Sequence, residues 1–228
     1  MDASKSLLKK TLALLVPHKT VPHVWWTAKN RWDLSTSRTL ILTLGLALFG
    51  IGESFLVQSG IGNSPWVVFS QGLSLHTPLS IGESTFVISA VILLLWLPLG
   101  ERPGFGTIAN MFVIAIFLQI GVFLIPLVHA NILLSIGMAF VGIAMVGLAS
   151  ALYITCGLGP GPRDGLMTAL HKKTGVRVGR VRLCIELIAL LAGIALGGRA
   201  GIGTAMFALL IGNSVAVSFS LVHHFAKK

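Results

Sequence analysis

Acidic side chains are almost missing from this chain: seven Asp and Glu in 228 residues. With 17 Lys and Arg, charged residues make up 11% of the sequence, against about a quarter in an average soluble domain. So few charges cannot clothe a water-facing surface, and a soluble globular class is excluded. Cysteine is equally scarce. Cys156 and Cys184 have neither metal-ligand nor redox spacing, which excludes a disulfide framework and a zinc cluster. The seven His form no ligand pattern either, and no HExxH, G-x-S-x-G or Walker sequence occurs. No enzyme activity, cofactor or metal is expected, nor an ATP motor within the chain.

Apolar residues fill the sequence instead, at 54% with a mean hydropathy of +0.89. A bilayer crossing needs about 20 largely apolar residues. Six stretches meet that requirement, over 38–58, 81–99, 107–127, 132–155, 183–198 and 204–223. Two further segments, 63–77 and 160–174, are too short and too polar to cross, and each carries a proline near its start. They are expected to be half-helices or re-entrant segments.

The net charge of +10 does not call for nucleic acid, because the basic residues fall between the apolar runs. Seven Lys and Arg precede the first span through Arg38, six lie in 156–182, and Arg102, Lys227 and Lys228 complete one side. Arg199 alone falls on the other. This partition predicts six crossings with both termini cytoplasmic. Residues 1–37 form a basic extension. Leu7, Leu8, Leu12 and Leu15 fall at helical spacing there, as in a surface helix ended near Pro17. Trp25, Trp26 and Trp32 are expected interface anchors.

The chain repeats itself at an offset of 97 residues. Residues 41–125 and 138–222 share 20 identities in 85 positions without gaps. Gly60-Ile61-Gly62-Asn63-Ser64-Pro65 corresponds to Gly157-Leu158-Gly159-Pro160-Gly161-Pro162. The turn Gly100-Glu101-Arg102-Pro103-Gly104-Phe105-Gly106-Thr107 corresponds to Gly197 through Thr204. Three crossings per copy is an odd number, so the second copy must enter the membrane from the opposite face. The expected fold is all-α and transmembrane: six spans in two inverted three-span repeats, 38–127 and 132–225, each with a short Gly/Pro-broken half-helix. Such repeats are common in secondary transporters, where interrupted helices hold the substrate between the copies. Gly60, Gly62 and Pro65, with Gly157, Gly159 and Pro162, each spell a helix break and a fresh helix start. Helix N-termini suit an anion or a polar solute. Thr107 and Thr204 are expected N-caps of the spans that follow.

Glu53 and Glu186 are the acids expected at membrane depth, where a carboxyl is costly and is a candidate for proton or ion coupling. Their repeat counterparts are Ser150 and Ser89, so each belongs to one copy only. Glu186 also stands four residues after Arg182, the spacing of a helical ion pair. Arg163 and Asp164 open the second half-helix, Arg163 suited to an anionic group and Asp164 to the helix dipole. Glu83, three residues after Ser80, fits a capping box.

The G-[IL]-G-x-x-P break, the short helix, the span and the Gly-Arg-x-Gly-x-Gly-Thr turn resemble the YczE/YitT group of bacterial membrane proteins. The likeness covers about 38–225 and is most typical in GLGPGPRDGLMTALHKKTG…LGGRAGIGT. In the first copy Trp66-Val67 replaces Arg163-Asp164. That group is largely uncharacterised and described as candidate transporters. The resemblance therefore implies a fold and a bacterial inner membrane, with the lipid bilayer and a small-molecule solute as partners. Two alternatives stay open: a membrane binding or regulatory module, or a substrate-capture subunit with a separate energising partner. A homodimer is compatible with any of these.

Overall fold

A computed structural model of the chain describes residues 20–128 and 131–226. The expected surface helix near residues 7–15 lies outside the described residues. Within them are eight α-helices, no strand and one short 3-10 turn at Leu97–Leu99. The helices are α1 Thr36–Ser59, α2 Pro65–His76, α3 Ile81–Leu94, α4 Phe105–Leu124, α5 Ile132–Thr155, α6 Pro162–Thr174, α7 Val178–Ala195 and α8 Ile202–Ala226.

Local chemistry sets the helix boundaries. Asn131 accepts from the Leu134 N–H at 3.0 Å and starts α5. Ser80 and Glu83 form the expected capping box at α3, with the Glu83 carboxylate accepting from the Ser80 N–H at 2.8 Å. Pro65 and Pro162 stand at the first positions of α2 and α6, where a missing N–H costs nothing. The two threonines correct the expectation. Gly104, not Thr107, is the N-cap of α4; the Thr107 hydroxyl accepts from the Gly104 N–H at 3.1 Å, and Thr204 does the same for Gly201 at 3.2 Å. Threonine at N3 bonds back to the cap as a capping-box glutamate would.

Five helical stretches are long and apolar enough to cross a membrane: Thr36–Ser59, Ile81–Leu99, Phe105–Leu124, Ile132–Thr155 and Ile202–Ala226. Their outward faces are apolar, with Phe123 85% and Leu133 80% exposed, as lipid contact requires. The expected span 183–198 is a helix over Val178–Ala195 and is not among these five, because Arg180, Arg182 and Glu186 fall within its 18 residues. The helices α2 and α6, of 12 and 13 residues, rise only about 18–20 Å. Neither can cross a core of about 30 Å.

The 97-residue repeat is present in the backbone. Gly60 and Gly157 have φ of 72° and 68°, Gly62 and Gly159 of 124° and 115°, Gly100 and Gly197 of 70° and 80°. The packing is repeated as well. α1 lies on α4 as α5 lies on α8, and α1 and α5 pack on each other as the central pair.

The breaks and turns interlock across the copies. The Gly106 N–H donates to the Leu158 carbonyl at 2.8 Å, and the Gly203 N–H donates to the Ile61 carbonyl at 2.9 Å. These two bonds are images of each other under the 97-residue shift. Each copy's break thus docks on the other copy's turn, the reciprocity of a two-fold, isologous contact. Two ends result. At one end segment 20–35, the 100–105 turn and the second break meet, with the Ala28 N–H donating to Cys156 O at 2.9 Å, Phe105 N–H to Arg31 O at 3.1 Å and Lys172 on Glu101 at 2.9 Å. At this end the Asp33 carboxyl accepts the Lys29 N–H and faces Arg38 at 3.2 Å; both contacts hold it below the usual carboxylate range. At the other end Gly60, Val128 and Arg199 gather around the first break.

This interlock leaves no room for side chains. A Cβ on Gly62 would lie 2.6 Å from the Gly201 nitrogen and 2.8 Å from Thr204 Oγ1, at a φ that L-residues avoid. Gly62→Ala is expected to cost about 2–5 kcal/mol through backbone strain and overpacking. Gly137→Ala, in α5 with nothing within 4 Å, is expected to be neutral or to stabilise by up to about 1 kcal/mol. Thermal unfolding of the two variants in detergent checks the contrast.

Candidate functional site

A cavity of about 150 Å³ lies between the central pair and the two half-helices. Its walls follow the repeat. Phe49 faces it with Val146, Glu53 with Ser150, Ser64 with Gly161, Trp66 with Arg163, Asn110 with Phe207 and Ile114 with Ile211, every pair 97 residues apart. The cavity is therefore lined by corresponding positions of both copies, and both half-helix N-termini reach it.

Glu53 is 1% exposed on α1, six residues or about 9 Å before that helix ends. The first break folds back to it: the Ser64 hydroxyl donates to Glu53 Oε2 at 2.7 Å. Glu53 Oε1 is buried and has no hydrogen-bond partner. A buried carboxylate oxygen left bare is expensive, and such groups default to a functional role.

Arg163, in the first turn of α6, lines the same cavity. Its guanidinium carbon lies 5.1 Å from the centroid of Trp66, over the ring face, a cation–π contact. Among the described residues it forms no ion pair; the four present are Arg31–Glu101, Arg38–Asp33, Lys172–Glu101 and Arg182–Glu186. Asp164, in the first turn of α6, accepts from the Tyr153 hydroxyl at 2.6 Å. Glu186 accepts from Arg182 at 2.9 Å, so the helical ion pair forms, and both residues line the cavity from α7.

The expected site residues therefore divide. Glu53, Pro65, Arg163, Asp164 and Glu186 line one cavity. Gly60, Gly62, Gly157 and Gly159 do not line it; they shape the breaks, and Pro162 holds the Trp96 indole by accepting its N–H at 3.0 Å. Three participants escaped the sequence reading. Tyr153 is the only tyrosine, inside an apolar span, and that rarity was the available signal. Trp66 was visible as the counterpart of Arg163, but not that the two would meet. Trp96 is 1% exposed and wedges against Gly165, where an added Cβ would lie 1.9 Å from its ring. Gln71 and Gln119 hold backbone: Gln71 accepts from the Arg199 N–H at 2.8 Å and Gln119 from the Gly82 N–H at 3.0 Å.

The symmetry breaks at one seam. α3 packs on α4, and a Cβ on Gly82 would lie 2.5 Å from Ala115 O and 2.6 Å from Gln119 Cβ. Their counterparts α7 and α8 scarcely touch, and Gly179 and Gly212 have nothing within 4 Å. The cavity wall extends into this gap through Arg182 and Glu186.

No solved structure matches the chain. Relatives occur among bacterial proteins. An uncharacterized protein of Haemophilus influenzae is 38% identical over 90% of this chain and 93% of its own length. The uncharacterized membrane protein YczE of Bacillus subtilis is 33% identical over 84% and 85%. A third, the uncharacterized protein YyaS of Bacillus subtilis, is 26% identical over 81% and 94%. The chain is thus a multi-pass membrane protein, and with residues 36–219 matched it belongs to the family of unknown function DUF6198.

Proposed function

We propose that the protein is a secondary transporter, in the bacterial inner membrane, carrying a small polar or anionic solute through the cavity between two inverted repeats. One observation carries this reading. A cavity between the copies holds a buried Glu53 carboxyl oxygen that has no hydrogen-bond partner, and the Arg163 guanidinium, which forms no ion pair among the described residues, lines the same cavity. A structural scaffold gains nothing from leaving such groups bare in a low-dielectric interior.

The inverted arrangement is supported by the two ends. The first break lies at the end bearing Arg199, and the second at the end bearing Arg31, Arg102 and Lys172. The positive-inside rule makes the latter end cytoplasmic, along with both termini. Six crossings then require α7 to span. It carries Arg180, Arg182 and Glu186 in 18 residues, but turns Leu183, Leu187, Ile188 and Leu191 outward, and its counterpart α3 is apolar enough to cross.

Alternating access follows from the unequal seams. The closed α3–α4 seam lies toward the Arg199 end, and the open α7–α8 gap toward the basic end, which describes an inward-facing state. Exchange of the two seam conformations would turn the cavity outward around a fixed site. Glu53 is the coupling carboxylate in this scheme, and the Arg182–Glu186 pair borders the opening through which the solute passes.

In liposomes, purified protein is expected to show solute flux coupled to protons, and Glu53→Gln to abolish the coupling, read as loss of solute-driven internal pH change. Glu186→Gln should keep coupled flux at a reduced rate. Coupled flux unaltered by Glu53→Gln removes the carboxylate role, and absence of flux alongside a stoichiometric partner on purification favours the capture-subunit alternative. A second measurement addresses the seam. In a Cys156→Ala/Cys184→Ser background, the pair Gly179→Cys/Ala216→Cys, counterparts of Gly82 and Gln119, is expected to cross-link during turnover and little at rest. Absence of cross-linking under both conditions would count against alternating access.

A further inference from the structure

We propose that the solute is a small zwitterion, its ammonium on Glu53 Oε1 and its carboxylate on Arg163 at the N-terminus of α6. The inference rests on the transport reading for the site, but concerns only what the site binds.

The charges in the cavity decide between solute classes. Glu186 is committed to Arg182 at 2.9 Å, and Asp164 accepts the Tyr153 hydroxyl at 2.6 Å beside the helix N-terminus that favours it. Two charged groups remain outside any ion pair among the described residues: Glu53, whose Oε1 has no hydrogen-bond partner, and Arg163, whose guanidinium lies over Trp66. They belong to different copies, line one cavity and feel each other's charge across it. A simple anion would satisfy Arg163 and leave Glu53 bare. A simple cation would do the reverse. One molecule carrying both charges satisfies both, and each bond formed is charge-assisted.

Position and size agree. Arg163 offers planar paired donors to a carboxylate, and its contact with Trp66, 5.1 Å from the ring centroid, holds the guanidinium beside the cavity. Ser64 holds Glu53 Oε2 at 2.7 Å, which leaves Oε1 as the free acceptor for an ammonium N–H. An engineered apolar cavity of about 150 Å³ takes up benzene, with six non-hydrogen atoms. The cavity here is of the same volume, about 150 Å³, so the solute has roughly six such atoms, as in the smallest α-amino acids.

The test is calorimetric titration of the full-length protein in detergent with glycine, alanine, serine and β-alanine, and with propionate and ethylamine as single-charge controls. At least one zwitterion is expected to bind roughly 30-fold or more tightly than either control. Glu53→Gln and Arg163→Gln should each remove that advantage, and circular dichroism checks that both variants remain folded. Propionate binding as tightly as the best zwitterion, or no binding by any of the four, overturns the proposal. Counterflow in liposomes separates it from the transport reading. Zwitterion binding without counterflow keeps the solute class and removes transport, whereas propionate counterflow without zwitterion binding keeps transport and removes the class.

Discussion

The structure depends on a pair of exchanged backbone hydrogen bonds, Gly106 N–H to Leu158 O and Gly203 N–H to Ile61 O. Each break leaves carbonyls without helical partners, and such groups must be satisfied where lipid excludes water. The other copy's helix start supplies the donor. The break and the turn are therefore one device divided between the repeats, and neither copy can satisfy its own. This explains why the glycines cluster at fixed positions. Gly62 at φ 124° and Gly159 at φ 115° are backbone demands made twice by one geometry.

The shared cavity also dictates where the copies must differ. Residues 97 apart meet around it, so some positions face their own counterparts. Two arginines there would face each other as like charges in low dielectric, and two tryptophans would remove the guanidinium from between the half-helices. Trp66 against Arg163 resolves the conflict, since a guanidinium stacks well on an indole face. The same logic applies to Glu53 and Ser150, where a second carboxylate would repel the first. Chemistry enters this scaffold by breaking symmetry around the shared cavity, and the substitutions lie where the repeat is closest to itself.

Much of this was legible in the sequence for a physical reason. Gly and Pro report backbone geometry directly, so the offset of 97 located the breaks and, to within two residues, the half-helices, while the apolar run alone gave α5 from Ile132 to Thr155. The Glu83 box and the Arg182–Glu186 pair are local contacts and were readable as such. The caps of α4 and α8 were not, because a threonine at N3 and one at the N-cap look alike until the backbone is seen. The start of α7 was hidden by Arg180 and Arg182, which lower hydropathy without ending a helix. Trp96 on Pro162, 66 residues apart, and Trp66 on Arg163, 97 apart, are long-range meetings that no local pattern encodes. The repeat placed Trp66 and Arg163 at equivalent positions, but only the fold brings equivalent positions together.

The unequal seams have an identifiable chemical bias. At the closed seam the Gly82 N–H donates to Gln119 Oε1 at 3.0 Å; at the open one the counterpart of Gln119 is Ala216, which has no acceptor. A net hydrogen bond contributes about 1 kcal/mol, and more where the alternative is an unsatisfied donor facing lipid. Trp96 adds to the asymmetry. It props α6 away from α3, while its counterpart Gly193 lets α2 approach α7 so closely that an added Cβ would lie 2.5 Å from the Phe69 nitrogen. The two differences act on different helix pairs: the Gln119 bond tightens α3 on α4, and Gly193 tightens α7 on α2. Each outer helix is thus held by one neighbour and loose against another, so the 97-residue repeat governs the breaks and turns while single residues such as Gln119 and Trp96 govern the outer packing.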